Sequence, residues 1–154
     1  MKEKIKNVWA ILAQSSAIDR DSNTVSLFDV LEEVTFQVAG TLPEQVVFPI
    51  NTQLVSLWER EETGEKAELK IRIVLRDPNN KILAQHEGGL RMEPQHKRSR
   101  FRAQFQGMPV TIPGRYTYEI VSLEPEKTES NEVVAKVPVE VKITAQPVKS
   151  PITL

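Results

Sequence analysis

The chain is predicted to be all-β, a two-sheet antiparallel sandwich of about eight strands. Three observations carry this. The composition holds 17 Val, 11 Ile and 10 Thr against 12 Leu, 9 Ala and 3 Met, a balance that favours pleated, half-buried strands over helix. Apolar residues alternate with polar ones at period two over several stretches, and no helical period exceeds about two turns. Short polar breakers recur about every 10–15 residues, the spacing of strands joined by tight turns.

Taken in chain order, a strand over about 7–17 is followed by Asp19-Arg20-Asp21-Ser22-Asn23, a run of turn formers, and a second strand starts near Thr24. Val30-Leu31-Glu32-Glu33 is the one place where a helical turn is expected. A long strand over about 46–60 closes at Glu61-Glu62-Thr63-Gly64-Glu65. It is apolar on both faces, with Leu54 and Trp58 on one and Val55 and Leu57 on the other. Both faces must therefore be covered, by a second sheet and by either more of the chain or a second copy. From Leu69 to Leu75, Leu69, Ile71, Ile73 and Leu75 share one face while Lys70 and Arg72 take the other. Asp77-Pro78-Asn79-Asn80 then sets a turn, with Pro pre-forming the first central position and Asn tolerating the left-handed one. This predicts a hairpin of 67–77 with 81–87. Over Lys97–Gln106, Phe101, Ala103 and Phe105 point inward and Arg98, Arg100, Arg102 and Gln104 outward. After the polar connection Glu124 to Asn131, Val133, Ala135, Val137, Val139, Val141 and Ile143 line one side of the last strand. Pro138 removes a ladder donor there, which places this strand at a sheet edge or gives it a bulge. The chain divides into one sandwich domain, 1–144, and a tail, 145–154, holding Pro147 and Pro151.

Ile112-Pro113-Gly114-Arg115-Tyr116-Thr117-Tyr118 resembles the tyrosine corner of immunoglobulin-like sandwiches. The resemblance implies that the Tyr116 hydroxyl, two residues after Gly114, bonds back to the backbone just upstream and pins the crossing between sheets. Tyr118 then stands where antibody domains place a Cys, and Trp58 is a candidate central core aromatic. On a larger scale Trp9-Ala10-Ile11-Leu12-Ala13 with its polar hairpin, Phe48-Pro49-Ile50 and Ile112-Pro113-Gly114-Arg115-Tyr116 resemble a family of small bacterial single-domain β-sandwich proteins to which no activity attaches. That resemblance implies the fold and no chemistry.

Composition narrows function by exclusion. There is no Cys, hence no disulfide framework, thiolate metal site or Cys nucleophile. Lys2, Lys4 and Lys6 before Val8–Ala13 imitate a signal peptide. The apolar run is too short and Glu3 interrupts the basic stretch, so a cytoplasmic location is expected. No stretch approaches the roughly 20 apolar residues of a membrane span. The sequence contains no G-x-S-x-G, P-loop, G-x-G-x-x-G or H-E-x-x-H. A metal-dependent enzyme has one candidate locus, the 86–96 loop, where His86, Glu87, Glu93 and His96 are ligands of borderline character. Gly88-Gly89 in the same loop reads as a bulge or turn. No catalytic residue, cofactor or metal site is assigned.

Charge is the remaining signal. The net charge is -1, but the middle of the chain is basic, and strand alternation gathers its cations into outward rows. Arg98, Arg100 and Arg102 form one row, with Arg91 and Lys97 nearby, and Lys70, Arg72 and Arg76 form another. These rows either pair across strands with Glu119, Glu140 or Glu132, or present guanidinium forks to an acidic protein, a second copy or an anion. No aromatic residue falls on the outward side of either row, so stacking platforms for nucleic acid are missing. The expected function is a non-catalytic interaction module, binding a protein partner or itself as a homodimer.

Overall fold

A computed structural model describes residues 5–41, 43–123 and 132–145. Nine strands are present among them: β1 (Lys6–Ile18), β2 (Val25–Val30), β3 (Glu33–Val38), β4 (Val46–Glu59), β5 (Ala67–Arg76), β6 (Ile82–Met92), β7 (Arg98–Val110), β8 (Gly114–Leu123) and β9 (Glu132–Ala145). They form a four-stranded sheet in the order β2-β1-β4-β7 and a five-stranded sheet in the order β3-β9-β8-β5-β6. The connection 124–131 and all of the tail but Ala145 lie outside the described residues. Among the described residues no helix is long and apolar enough to cross a membrane.

Alternation does what one-sided burial requires. Leu54 and Trp58 of β4 face Ile71, Ile73 and Leu75 of β5, Tyr116, Tyr118 and Ile120 of β8, and Val139 and Val141 of β9, all within one core. Trp58 is fully buried, and its Nε1–H donates to Ser56 Oγ at 2.9 Å. The β3–β9–β8–β5 succession, with consecutive hairpins β5–β6 and β8–β9, is the immunoglobulin-like arrangement.

Three local expectations change. The segment 30–33 is no helical turn: Leu31 donates its N–H to Leu12 O at 2.8 Å and packs on the core. The chain crosses between sheets there in extended form, so that β3 enters alongside β9 in the same direction, Glu33 opposite Glu140 through Val38 opposite Ala145. One pairing of the sandwich is thus parallel. On β9 the register slips between Ile120–Ala135 and Val121–Val133. This bulge turns Val134 to the core and leaves Val133 40% exposed, off the apolar face predicted for it. Pro138 sits in the half of β9 that precedes its pairing with β3, where the strand has an open side and loses no ladder bond. Gly88 and Gly89, finally, lie inside β6 rather than in a loop. A Cβ on Gly88 would meet Phe101 Cζ at 2.5 Å, because that ring packs across from the other sheet.

Candidate functional site

The two basic rows occupy opposite faces of the sandwich. Lys70 and Arg72 lie on the outer face of the five-stranded sheet, amid a lattice of cross-strand pairs. Arg72 meets Glu87 at 2.8 Å, Arg76 meets Glu119, and Arg115 meets Glu140 at 2.8 Å. Glu119 and Glu140, expected as cross-strand partners of the rows, are taken by Arg76 and Arg115. On the four-stranded sheet Arg98 reaches Glu59 at 3.3 Å.

Arg100 and Arg102 are engaged differently. Arg100 donates to Asn23 Oδ1 at 3.2 Å and to Asn23 O, and Arg102 donates to Ser16 Oγ at 3.2 Å. Arg100 is in register with Leu57, and Leu57 with Trp9. A straight β1 would put Ile18 about 30 Å beyond Trp9 at ~3.3 Å per residue, several times the reach of an arginine side chain. The end of β1 must therefore bend back with β2 across the outer face of the sheet. Asp29 has φ of +53° between the register pairs Ala13–Val30 and Ser15–Phe28, where the hairpin leaves the sheet. Ser16 also donates to Gln53 Oε1. This folded-back hairpin explains why Ala13 and Val55, which point away from the core between the sheets, are 0% exposed. The second apolar face of β4 is thus covered within the chain.

The tyrosine corner and the β5–β6 turn form one polar unit. The buried Tyr116 hydroxyl accepts from the N–H groups of Thr111 (2.9 Å) and Ile112 (3.2 Å) and donates to Ile112 O (2.6 Å). Thr111 Oγ1 donates to Asp77 Oδ2 at 2.7 Å, and Asp77 Oδ1 accepts from the amides of Asn79 and Lys81. Burial opposes ionisation of Asp77. The hydrogen bonds from Thr111, Lys81 and Asn79, with the Lys81 charge, prevail and hold its carboxyl below the usual range. Gly114 completes the unit: its φ is +140°, and a Cβ there would meet Pro78 Cγ at 2.8 Å. Every polar group named here is used in joining two turns.

Sequence reasoning missed Arg60. It is 1% exposed at the end of β4 and donates from Nε to His96 O (3.0 Å), from Nη1 to Glu65 O (2.6 Å) and from Nη2 to Glu93 O (2.9 Å). Its five donors suit it to stitch the 60–66 and 93–97 loops together. His86 lies on β6 with its ring 5.9 Å from that of Phe105, whereas His96 lies in the loop. No group of three or more His, Asp or Glu side chains that could hold a metal ion occurs among the described residues.

An exposed apolar surface lies on the outward side of the β1–β2 hairpin. Phe28 is 50% exposed, and its side of the hairpin carries Ser15, Ala17 and Ser26, while Val30, 49% exposed, lies across the Asp29 bend, opposite the buried Ala13. Val30 also borders an open cleft of about 300 Å³ lined by Ala10, Leu12, Leu31, Val137 and Pro138, with Glu32, Arg115 and Glu140 at its polar margin. The signal for this surface was present in Val25-Ser26-Leu27-Phe28-Asp29-Val30, whose apolar residues fall on both faces of a short strand. No protein-family model and no curated protein matches the chain.

Proposed function

We propose that the protein is a non-catalytic cytoplasmic interaction module that self-associates through the outward side of its β1–β2 hairpin. The observation that carries this is the half exposure of Phe28 on a side otherwise made of Ser15, Ala17 and Ser26, with half-exposed Val30 just past the Asp29 bend. An exposed apolar patch of this kind favours association. Small neighbours keep it flat, and it holds no charge, so a two-fold axis can bring it onto itself without like charges meeting. Two such faces stack at the ~10 Å spacing of packed sheets. With the hairpin in place, the arginine rows offer no open site for a free anion or nucleic acid. Arg72 and Arg98 are paired with carboxylates, and Arg100 and Arg102 are occupied by the hairpin.

Light scattering tests the proposal. The wild-type chain is expected to rise above its 17.5 kDa monomer mass across the micromolar range, and Phe28→Ser with Val30→Ser is expected to return it to monomer while preserving the β-sheet circular dichroism. A wild-type monomer at every concentration contradicts it.

A further inference from the structure

The arginines of the two sheets divide by partner. Arg72, Arg76, Arg91, Arg98 and Arg115 each reach a carboxylate, whereas Arg100 and Arg102 reach none among the described residues. Both guanidiniums are instead spent on neutral oxygens of the folded-back hairpin, Asn23 and Ser16. Beneath the hairpin lie Ala13 and Val55, fully covered, and Trp9, Ile11 and Leu57, partly covered. In register, Arg100 stands opposite Leu57 and Arg102 opposite Val55. Each apolar side chain thus has a guanidinium beside it, and successive pairs are about 6.6 Å apart along the strand, at ~3.3 Å per residue.

We infer that the hairpin is a strap occupying, in its own chain, the binding face for an extended acidic segment of a partner protein, one whose carboxylates and apolar side chains alternate. The chemistry favours exchange. Guanidinium–carboxylate bonds are shorter and stronger than those to neutral oxygens and can be bidentate, so a carboxylate outcompetes Asn23 and Ser16 for the same donors. The apolar strip beneath then receives the segment's alternate residues, as in recognition of extended peptides by a sheet. The strap is held by long-range side-chain bonds, and its bend at Asp29 gives it a place to hinge. This inference concerns the hairpin's inner side and does not rest on self-association through its outer side.

The probe is a synthetic octapeptide of alternating Glu and Val, titrated at low salt while hydrogen exchange is followed along the chain. In the wild type, peptide binding is expected to raise amide exchange over 15–28 at least fivefold, leave β5 and β8 protected, and weaken as salt screens the charges. Arg100→Gln with Arg102→Gln is expected to deprotect the same amides without peptide and to abolish peptide binding, with β5 and β8 exchange confirming that the core is folded. Asn23→Asp, which supplies Arg100 with a carboxylate in cis, is expected to slow hairpin exchange and lower peptide affinity roughly two- to fivefold, the scale of an exposed ion pair. Peptide bound with the hairpin still protected, absence of binding at low salt, or an Asn23→Asp protein that binds as tightly as wild type would each overturn the inference.

Discussion

Two buried hydroxyls on opposite sheets define what single residues contribute. Thr52 of β4 is 2% exposed, and its Oγ1 has no hydrogen-bond partner of ordinary geometry although it lies beside the Tyr118 phenol. A buried unsatisfied hydroxyl costs on the order of 1–3 kcal/mol. Thr52→Val, which keeps the shape, is therefore expected to raise stability by about 1 kcal/mol in urea denaturation. Tyr118 is 1% exposed and packs its ring 5.4 Å from that of Phe105. Burial pushes its phenol up from 10.0 to about 12. The folded state then holds its proton more tightly than the unfolded chain. The stability this confers is fully present below pH 10 and is lost as pH rises towards 12, about 2–3 kcal/mol in all. Tyr118→Phe is expected to flatten that alkaline loss. An unchanged profile would show that the phenol is not what gives way.

Arg60 and the β1–β2 hairpin set the behaviour of whole elements. Arg60→Met would strip the carbonyls of His96, Glu65 and Glu93 of their donor. A loss of about 3 kcal/mol is expected, the range for breaking a buried charged network, with hydrogen exchange rising first over 93–97. Lys at this position is expected to restore little, because a point ammonium does not span three directions. Elements were legible in the sequence wherever one face is dry and the other wet, as in Leu69–Leu75 and Phe101–Phe105. Tyr116 was legible because its corner is local, the hydroxyl reaching four to five residues back. What escaped depended on distant partners. Gly88 is strand rather than loop because Phe101 of the other sheet packs on it, and Val133 leaves its face through a bulge that only pairing with β8 defines. The hairpin bends over the sheet through contacts such as Arg100 with Asn23, 77 residues apart. No alternation pattern contains that information, and the arginines it recruits read in sequence as a free outward row.

At the scale of the molecule, the edge strands are β2 and β7 of one sheet and β3 and β6 of the other. β1 has a bulge between Asn7 and Trp9, β9 has Pro138 and its own bulge, and β7 carries arginines along its length. The arginines oppose indiscriminate strand pairing at the β7 edge, while Phe28 stays half exposed on the hairpin. The half-buried β4, whose two apolar faces suggested a dimer interface, is satisfied by the hairpin instead. The proposed self-association therefore falls on the strap rather than on the sheet beneath it. The absence of cysteine makes this directly measurable. A single cysteine at Ser26, beside Phe28 on the outward side, is expected to form a disulfide-linked dimer on mild oxidation far faster than one at Glu87 on the opposite sheet. Equal rates at the two positions, or no dimer at Ser26, would contradict self-association through the hairpin.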